Sequence, residues 1–351
     1  MANLLVTGGA GFIGGNFVHY WSERHTDDSL IVLDALTYAG NRSTIEGAER
    51  TELVVGNICD TELVEKLLSE RAIDTIVHFA AESHVDRSIT GPDAFIETNI
   101  LGTNSLLKAA RKVWLNGDGE DHRFHHISTD EVFGSLGPED PAFREDTAYA
   151  PNSPYSASKA SSDHLVRAYH HTYGLQVTTS NCSNNYGPYQ YPEKLIPLFL
   201  LNALSGKDLP IYGDGMNVRD WLHVEDHCRG IEACLASGQP GETYNIGGGA
   251  ELPNMAVIDA ICAEADRAFE EVEGLADRYP DAPAAQGRKS VELKAFVTDR
   301  AGHDWRYAID ETKARAELGY APDWSFEDGL RQTLRWYLAN EAWWLPLRSV
   351  K

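Results

Sequence analysis

No stretch of this 351-residue chain approaches the roughly 18–20 consecutive apolar residues of a membrane span, so a transmembrane reading has no support in the sequence. The chain runs at once into Leu4-Leu5-Val6, with no basic region or small-residue cleavage site before it. It does not read as a secretory leader, and a cytoplasmic protein is expected. Cysteine is sparse. Cys59, Cys182, Cys228, Cys234 and Cys262 are odd in number, widely spaced and never in a Cys-x-x-Cys pair, which argues against a disulfide framework or a zinc site. Reduced, mostly buried thiols are the expectation. The pairs His125-His126 and His170-His171 have no companion ligand pattern, and no metal is expected. Positive charge is also short, with 30 Lys and Arg against 53 Asp and Glu, a net −23. That balance disfavours nucleic acid and anionic membrane surfaces as partners. A phosphorylated ligand has to be met by locally placed cations. No repeat of 20–50 residues is visible.

What the chain has is alternation. Leu4–Thr7, Leu30–Asp34, Leu53–Val55, Thr75–Phe79, Phe124–Ser128 and Gln176–Ser180 are strand candidates, and helical patterns at Thr61–Glu70, Ala94–Trp114 and Tyr155–Tyr173 lie between most of them. Strands alternating with helices are joined by crossovers, so neighbouring strands run parallel. The expected fold class is α/β, a Rossmann-type doubly wound parallel sheet over residues 1–180. A smaller mixed α/β substrate domain follows over 181–351, with some chain crossing back. There the pattern changes to the turn-rich Asn184-Asn185-Tyr186-Gly187-Pro188 and short strands at Thr243–Ile246 and Leu293–Thr298. Residues 270–292 read as a solvated helix end and loop, or as an inserted lid. Helical periodicity returns over Phe326–Trp344.

Gly8-Gly9-Ala10-Gly11-Phe12-Ile13-Gly14 follows the first strand and opens a helix. Glycine there permits a tight turn and close backbone approach to a pyrophosphate, which the helix N-terminus attracts. Twenty residues after Gly14 stands Asp34, at the end of the second strand. A carboxylate at that place accepts hydrogen bonds from a ribose diol and repels a 2′-phosphate, so NAD is preferred over NADP. Asn57-Ile58 after the third strand and Phe79-Ala80-Ala81 after the fourth are either cofactor contacts or strand-end packing.

Tyr155 and Lys159, four residues apart on one helix, share a face. A phenol near its ordinary pKa of about 10 is a poor base at neutral pH. A neighbouring ammonium and a nicotinamide cation both favour phenolate, bringing it toward the useful range. Ser128-Thr129 ends the fifth strand, and Thr129 either hydrogen-bonds the same substrate oxygen or simply caps the strand. Asp130 and Glu131 follow, where doubly wound folds bind ligands. Adjacent carboxylates in a dry pocket repel, which raises at least one of them and sets an acid beside a base. The alternative is a dipole-stabilised helix start. Oxidation together with proton chemistry at neighbouring carbons is the combined reading.

With these stretches assembled, the chain resembles the extended short-chain dehydrogenase/reductase family, and within it the sugar-nucleotide 4,6-dehydratases. The resemblance rests on Thr7–Gly14, residues 34–41, 78–88, Ser128–Gly134, Tyr155–Lys159, Asn181–Pro197, residues 217–226 and Asp299–Asp310. It implies oxidation of glucose C4, elimination of water across C5–C6 and reduction at C6, on dTDP-glucose with tightly bound NAD. Catalysis then falls to Thr129, Asp130, Glu131, Tyr155 and Lys159. The cofactor falls to Gly8, Gly11, Phe12, Ile13, Gly14, Asp34, Asn57, Ile58, Ala80, Ala81, Thr98, Tyr155, Lys159 and Asn185. The resemblance assigns the substrate to Ser83, Thr129, Asn184, Glu193, Lys194, Arg219, Asn254, Asp299 and His303. Lys194, Arg219 and Arg300 are the cations available to a diphosphate; otherwise they are surface ion pairs. A homodimer through a four-helix bundle of Ala94–Trp114 and Tyr155–Tyr173 is implied as well.

Three positions depart from the family pattern. Asn57 stands where Asp is usual, Ala301 where Pro is usual and Trp305 where Arg is usual, the last two in the segment that helps close over the nucleotide. Competing readings are the same dehydration on UDP-glucose, another nucleotide-sugar epimerase or decarboxylase, and a cofactor-binding regulator without turnover. A decarboxylase has no use for Asp130 as acid, and a regulator predicts a broken catalytic set.

Overall fold

The computed structural model describes residues 2–116, 121–299 and 303–348. Arg300 and Ala301, singled out above, lie outside the described residues. In chain order the strands of the first half are β1 (Asn3–Thr7), β2 (Ser29–Asp34), β3 (Thr51–Val55), β4 (Thr75–His78), β5 (Arg123–Thr129) and β6 (Val177–Cys182). Later come β7 (Asn184–Tyr186), β8 (Leu209–Tyr212), β9 (Val218–His223), β10 (Thr243–Ile246), β11 (Glu251–Pro253) and β12 (Lys294–Val297). Seven of them form one sheet in the order β10-β6-β5-β4-β1-β2-β3, and every pairing in it is parallel.

β1 shows why the sheet is covered on both faces. Leu4, Leu5 and Val6 are all fully buried, as expected of a parallel strand between two helical layers. Leu5 joins the core built with Leu106, Leu107 and Val166, while Leu4 and Val6 join Phe17, Val18 and Ile231 on the opposite face. Because β1 pairs with β2 on one side and β4 on the other, the winding reverses there. A crevice opens beyond the carboxyl ends at such a switch point.

The helix Pro154–Tyr173 is fixed at both ends by its own sequence. Ser153 accepts the Ser156 N–H at 3.0 Å and Ser156 Oγ accepts the Ser153 N–H at 3.1 Å, a reciprocal cap. Pro154 opens it, and Gly174, at φ +78°, ends it in the left-handed conformation. The helix expected over Ala94–Trp114 is instead interrupted by a π-helical turn at Ile96–Gly102 before Thr103–Trp114 resumes. Asn99 lies in that turn, buried. Its amide donates to the Glu82 carbonyl at 3.0 Å and to Ser158 Oγ at 2.8 Å, and its oxygen accepts the Glu82 N–H at 2.9 Å. These side-chain bonds tie the π turn to Glu82 and Ser158, contacts that helical periodicity in the sequence does not register.

Two small sheets, β11-β9-β7 and β12-β8, carry the later strands. Their main core packs Phe199, Leu200, Trp221, Ile258 and Leu334 together. β10 crosses back to the edge of the large sheet. Residues 270–292 form short helical turns packed down on Asn254–Glu271: Leu275 and Ala282 are buried, and Ser290 N–H donates to Asp266 at 3.0 Å. The lid alternative does not hold, since these side chains belong to the core. Among the described residues no helix is long and apolar enough to cross a membrane. No group of three His, Cys, Asp or Glu there is arranged to hold a metal ion.

Candidate active site

A cavity of about 360 Å³ runs along the carboxyl ends of the large sheet, from the glycine turn to β7 and the segment after it. Gly8 adopts φ +70°, and a Cβ on it would lie 2.6 Å from the Ala80 nitrogen. A Cβ on Gly14 would run into the Gly8 carbonyl oxygen. The helix Phe12–Arg24 begins without a side-chain cap or an acidic residue in its first turn, which leaves its amino end suited to an anion. Asp34 closes this half: Oδ2 accepts the Ala10 N–H at 3.0 Å and Oδ1 accepts the Leu36 N–H at 2.8 Å. Burial pushes its carboxyl above the ordinary value while those two N–H groups pull it back. A narrow glycine cradle, an uncapped helix end and a buried strand-end carboxylate fit a dinucleotide with a free ribose diol.

The chemical half is built by β5 and the helix Pro154–Tyr173. Thr129 ends β5 and caps the 3₁₀ turn Asp130–Phe133, its Oγ1 accepting the Glu131 N–H at 3.3 Å. The same Oγ1 lies 3.4 Å from Asp130 Oδ1, and Thr129 lines the same cavity as Tyr155, where it favours the ionised phenol. Asp130 is 2% exposed, and its Oδ2 has no hydrogen-bond partner. Burial first, then the charges of Glu131 and Asp220, hold its carboxyl well above the usual range. Lys159 is buried and its Nζ donates to the Ile127 carbonyl at 2.7 Å.

Tyr155 differs from the sequence expectation. Burial first and then Glu131 push its phenol well above 10, because the pocket wall is apolar and acidic on that side. A cation arriving in the pocket has to supply the compensation.

Every residue named above for the chemistry and for the cofactor lines this cavity, as do Ser83, Asn184, Glu193 and Lys194. Arg219, Asn254, Asp299 and His303 do not line it. Arg219 is buried beside it, stacked 4.3 Å over the Tyr307 ring and donating to the Asp304 carbonyl at 2.9 Å. Its charge still draws Asp130 down. Asp299 accepts from His303 Nδ1 at 2.7 Å, and Asn254 begins the helix Asn254–Glu271. Asn57, the first departure, accepts the Cys59 N–H at 2.9 Å through its amide oxygen. Trp305, the other described one, is 40% exposed, and its backbone N–H donates to Ser135 Oγ at 3.0 Å.

Sequence reasoning missed part of the lining. Tyr38, Gln190 and Tyr191 all face the cavity, and Arg87, outside that lining, lies 3.7 Å over the Tyr38 ring and 3.4 Å from Glu193. Tyr38, Arg87 and Tyr191 lie within stretches that carried the resemblance, but nothing local marks them as joining three separate loops.

The comparisons agree with this geometry. The GDP-mannose 4,6 dehydratase family matches residues 5–333. A dTDP-glucose 4,6-dehydratase of Xanthomonas campestris pv. campestris is 55% identical over 349 residues, 98% of this chain and 95% of that protein. The crystal structure of DesIV, a dTDP-glucose 4,6-dehydratase from Streptomyces venezuelae with NAD and TYD bound, superposes with a TM-score of 0.86 at 48% identity, covering 98% of this chain and 99% of that one. A dTDP-glucose 4,6-dehydratase from Bacillus anthracis, in complex with NAD, gives 0.84 at 45% identity over 99% and 100% of the two chains.

Proposed function

The chain belongs to the GDP-mannose 4,6 dehydratase family, and from that premise we infer that it is an NAD-dependent dehydratase of dTDP-glucose, yielding the 4-keto-6-deoxy sugar nucleotide for deoxysugar synthesis. The observation that carries this reading is the buried, raised Asp130 beside Glu131, Thr129 and Tyr155 in one cavity. Bound NAD supplies the acceptor for the C4 hydride and the donor for C6. It would be held by Gly8, Gly11 and Gly14, the helix end at Phe12-Ile13, and Asp34, with Asn57, Ile58, Ala80, Ala81, Thr98 and Asn185 along its length.

The residues then divide the proton work. Tyr155 takes the proton of the C4 hydroxyl, with Lys159 lowering the cost of the phenolate. Glu131 removes the C5 hydrogen, acidified by the neighbouring ketone, and later returns a proton there. Asp130, neutral through burial, protonates the departing C6 hydroxyl, which leaves as water. One proton enters at Tyr155 and one leaves from Asp130 in each turnover. Thr129, its Oγ1 3.4 Å from Asp130 Oδ1 and in one cavity with Tyr155, stands between the two and gives the proton a path back. Lys194 and Arg219 are the charges offered to the diphosphate, with Ser83, Asn184, Glu193, Asn254, Asp299 and His303 around the rest of the substrate.

We place it as a homodimer pairing the helices of Ala94–Trp114 and Tyr155–Tyr173. Ile89, Ile96 and Leu101, 47–55% exposed on and before the first of these, with Tyr173 at 41%, support that face. Five free cysteines suit a reducing cytoplasm.

Incubation with dTDP-glucose and with UDP-glucose, without added reductant, tests the reading by the alkali-induced absorbance of a 4-ketosugar. Signal is expected with dTDP-glucose. Its absence would overturn the assignment.

A further inference from the structure

Lys159 is not the only charged side chain that the helix Pro154–Tyr173 sends beneath the site. One turn further on, Asp163 is buried as well, 6% exposed. Its Oδ2 accepts the Ser128 hydroxyl at 2.8 Å and the Tyr149 hydroxyl at 3.0 Å. Its Oδ1 lies 3.0 Å from His126 Nε2. Three donors converge on its two oxygens, an arrangement that suits a hydrogen-bond acceptor.

The two side chains dock on consecutive residues of β5: Lys159 Nζ on the Ile127 carbonyl and Asp163 Oδ2 on Ser128. Their i, i+4 spacing puts them on one helix face. We propose that Asp163 is a positioning residue, the counter-ion that keeps the Lys159 ammonium charged in a site that has shut out water. This rests on the assignment of Tyr155 and Lys159 made above.

The groups around the pair leave that work to Asp163. From β4, His78 is fully buried, hydrogen-bonded to Thr7 and Thr103, and held well below its ordinary value by burial. From β5, His126 is pushed down to about 4 by burial and then by Lys159, so it donates as a neutral ring. From β6, burial pushes the Cys182 thiol up to about 12. Tyr149 is raised beyond the physiological range by burial and by Asp163 itself. Asp130 and Glu131, across the 3₁₀ turn, act on Tyr155. Lys159 itself is drawn down by burial and supported first by Asp163. A buried ammonium without an opposite charge gives up its proton.

The experiment follows the Lys159 ¹⁵Nζ signal of the NAD-loaded protein against pH, identified by its loss in Lys159→Arg. In parallel, kcat/KM for dTDP-glucose is profiled in wild type, Asp163→Asn and Tyr149→Phe. In Asp163→Asn the Lys159 titration and the alkaline limb should both move down by about one unit or more. Tyr149→Phe removes one hydrogen bond from the carboxylate but not its charge, and should leave the limb in place. A uniform fall in rate with unmoved limbs in Asp163→Asn would overturn the proposal and leave a packing role. If Asp163→Asn does not fold, the wild-type titration decides, since a Lys159 already neutral at about pH 7 contradicts a working counter-ion. The NMR titration needs no substrate. Failure of the wild type to turn over dTDP-glucose would therefore sink the functional assignment and leave this measurement standing.

Discussion

Asp34 accepts the Ala10 N–H at 3.0 Å, so the carboxylate that ends the second strand is tied to the glycine turn that ends the first. The pyrophosphate cradle and the proposed ribose acceptor are thereby one rigid unit, and a charge change at one place is read at the other.

Asp34→Asn should keep the turn, because the amide oxygen still accepts one N–H, but remove the repulsion of a 2′-phosphate. The NAD over NADP preference is expected to fall at least about tenfold, a change of roughly 1.4 kcal/mol. Titration of both cofactors into stripped protein measures it. An unchanged ratio would move the discrimination elsewhere.

Asp130→Asn combined with Glu131→Gln should leave C4 oxidation working while elimination fails. Turnover is expected to drop by about 10²–10⁴-fold, with reduced nicotinamide accumulating on the protein. Rapid-scan absorbance reads this directly, and a variant with no reduced cofactor would show that the pair also serves oxidation.

The same Asp130 makes a stability prediction. Its carboxyl is held above the ordinary 3.8 by burial. The stability linked to it is therefore complete below that ordinary value and is lost as pH rises toward the folded-state value. Asp130→Asn removes the penalty. Its Tm should exceed that of the wild type at neutral pH, with the gap closing by about pH 4. Calorimetry across that window checks the sign, and a variant less stable at neutral pH contradicts it.

Leu101→Glu together with Ile96→Glu places charges on side chains 55% and 49% exposed. Both are solvent-facing in the single chain, so the fold should persist while the proposed dimer dissociates. Sedimentation should show the monomer mass with an unchanged far-ultraviolet spectrum. A dimer surviving the double substitution would place the interface on another face.

Much of this was legible along the chain because its causes are local. The glycine turn, the Tyr155–Lys159 spacing and the alternation of apolar strands with helices act within a few residues of where they are read. The helix at Ala94–Trp114 shows the limit. Its periodicity is helical throughout, yet the segment Ile96–Gly102 is π-helical, and there Asn99 finds partners on Glu82 and Ser158. Residues 270–292 show it again, since their charge and prolines read as solvent-exposed while Leu275 and Ala282 supply the anchors.

The sequence by itself determined the alternation of strands and helices, the residue types of the chemistry and their strand-end positions, since backbone conformation and side-chain chemistry are properties of short segments. Only the tertiary structure decided their ionisation. Whether Asp130 is an acid, Tyr155 a reluctant one and Asp163 a buried acceptor of three hydrogen bonds depends on which distant groups exclude water around them. Burial and charge are set by neighbours in space. Arg219, far along the chain from Asp130 yet acting on its carboxyl, is such a neighbour.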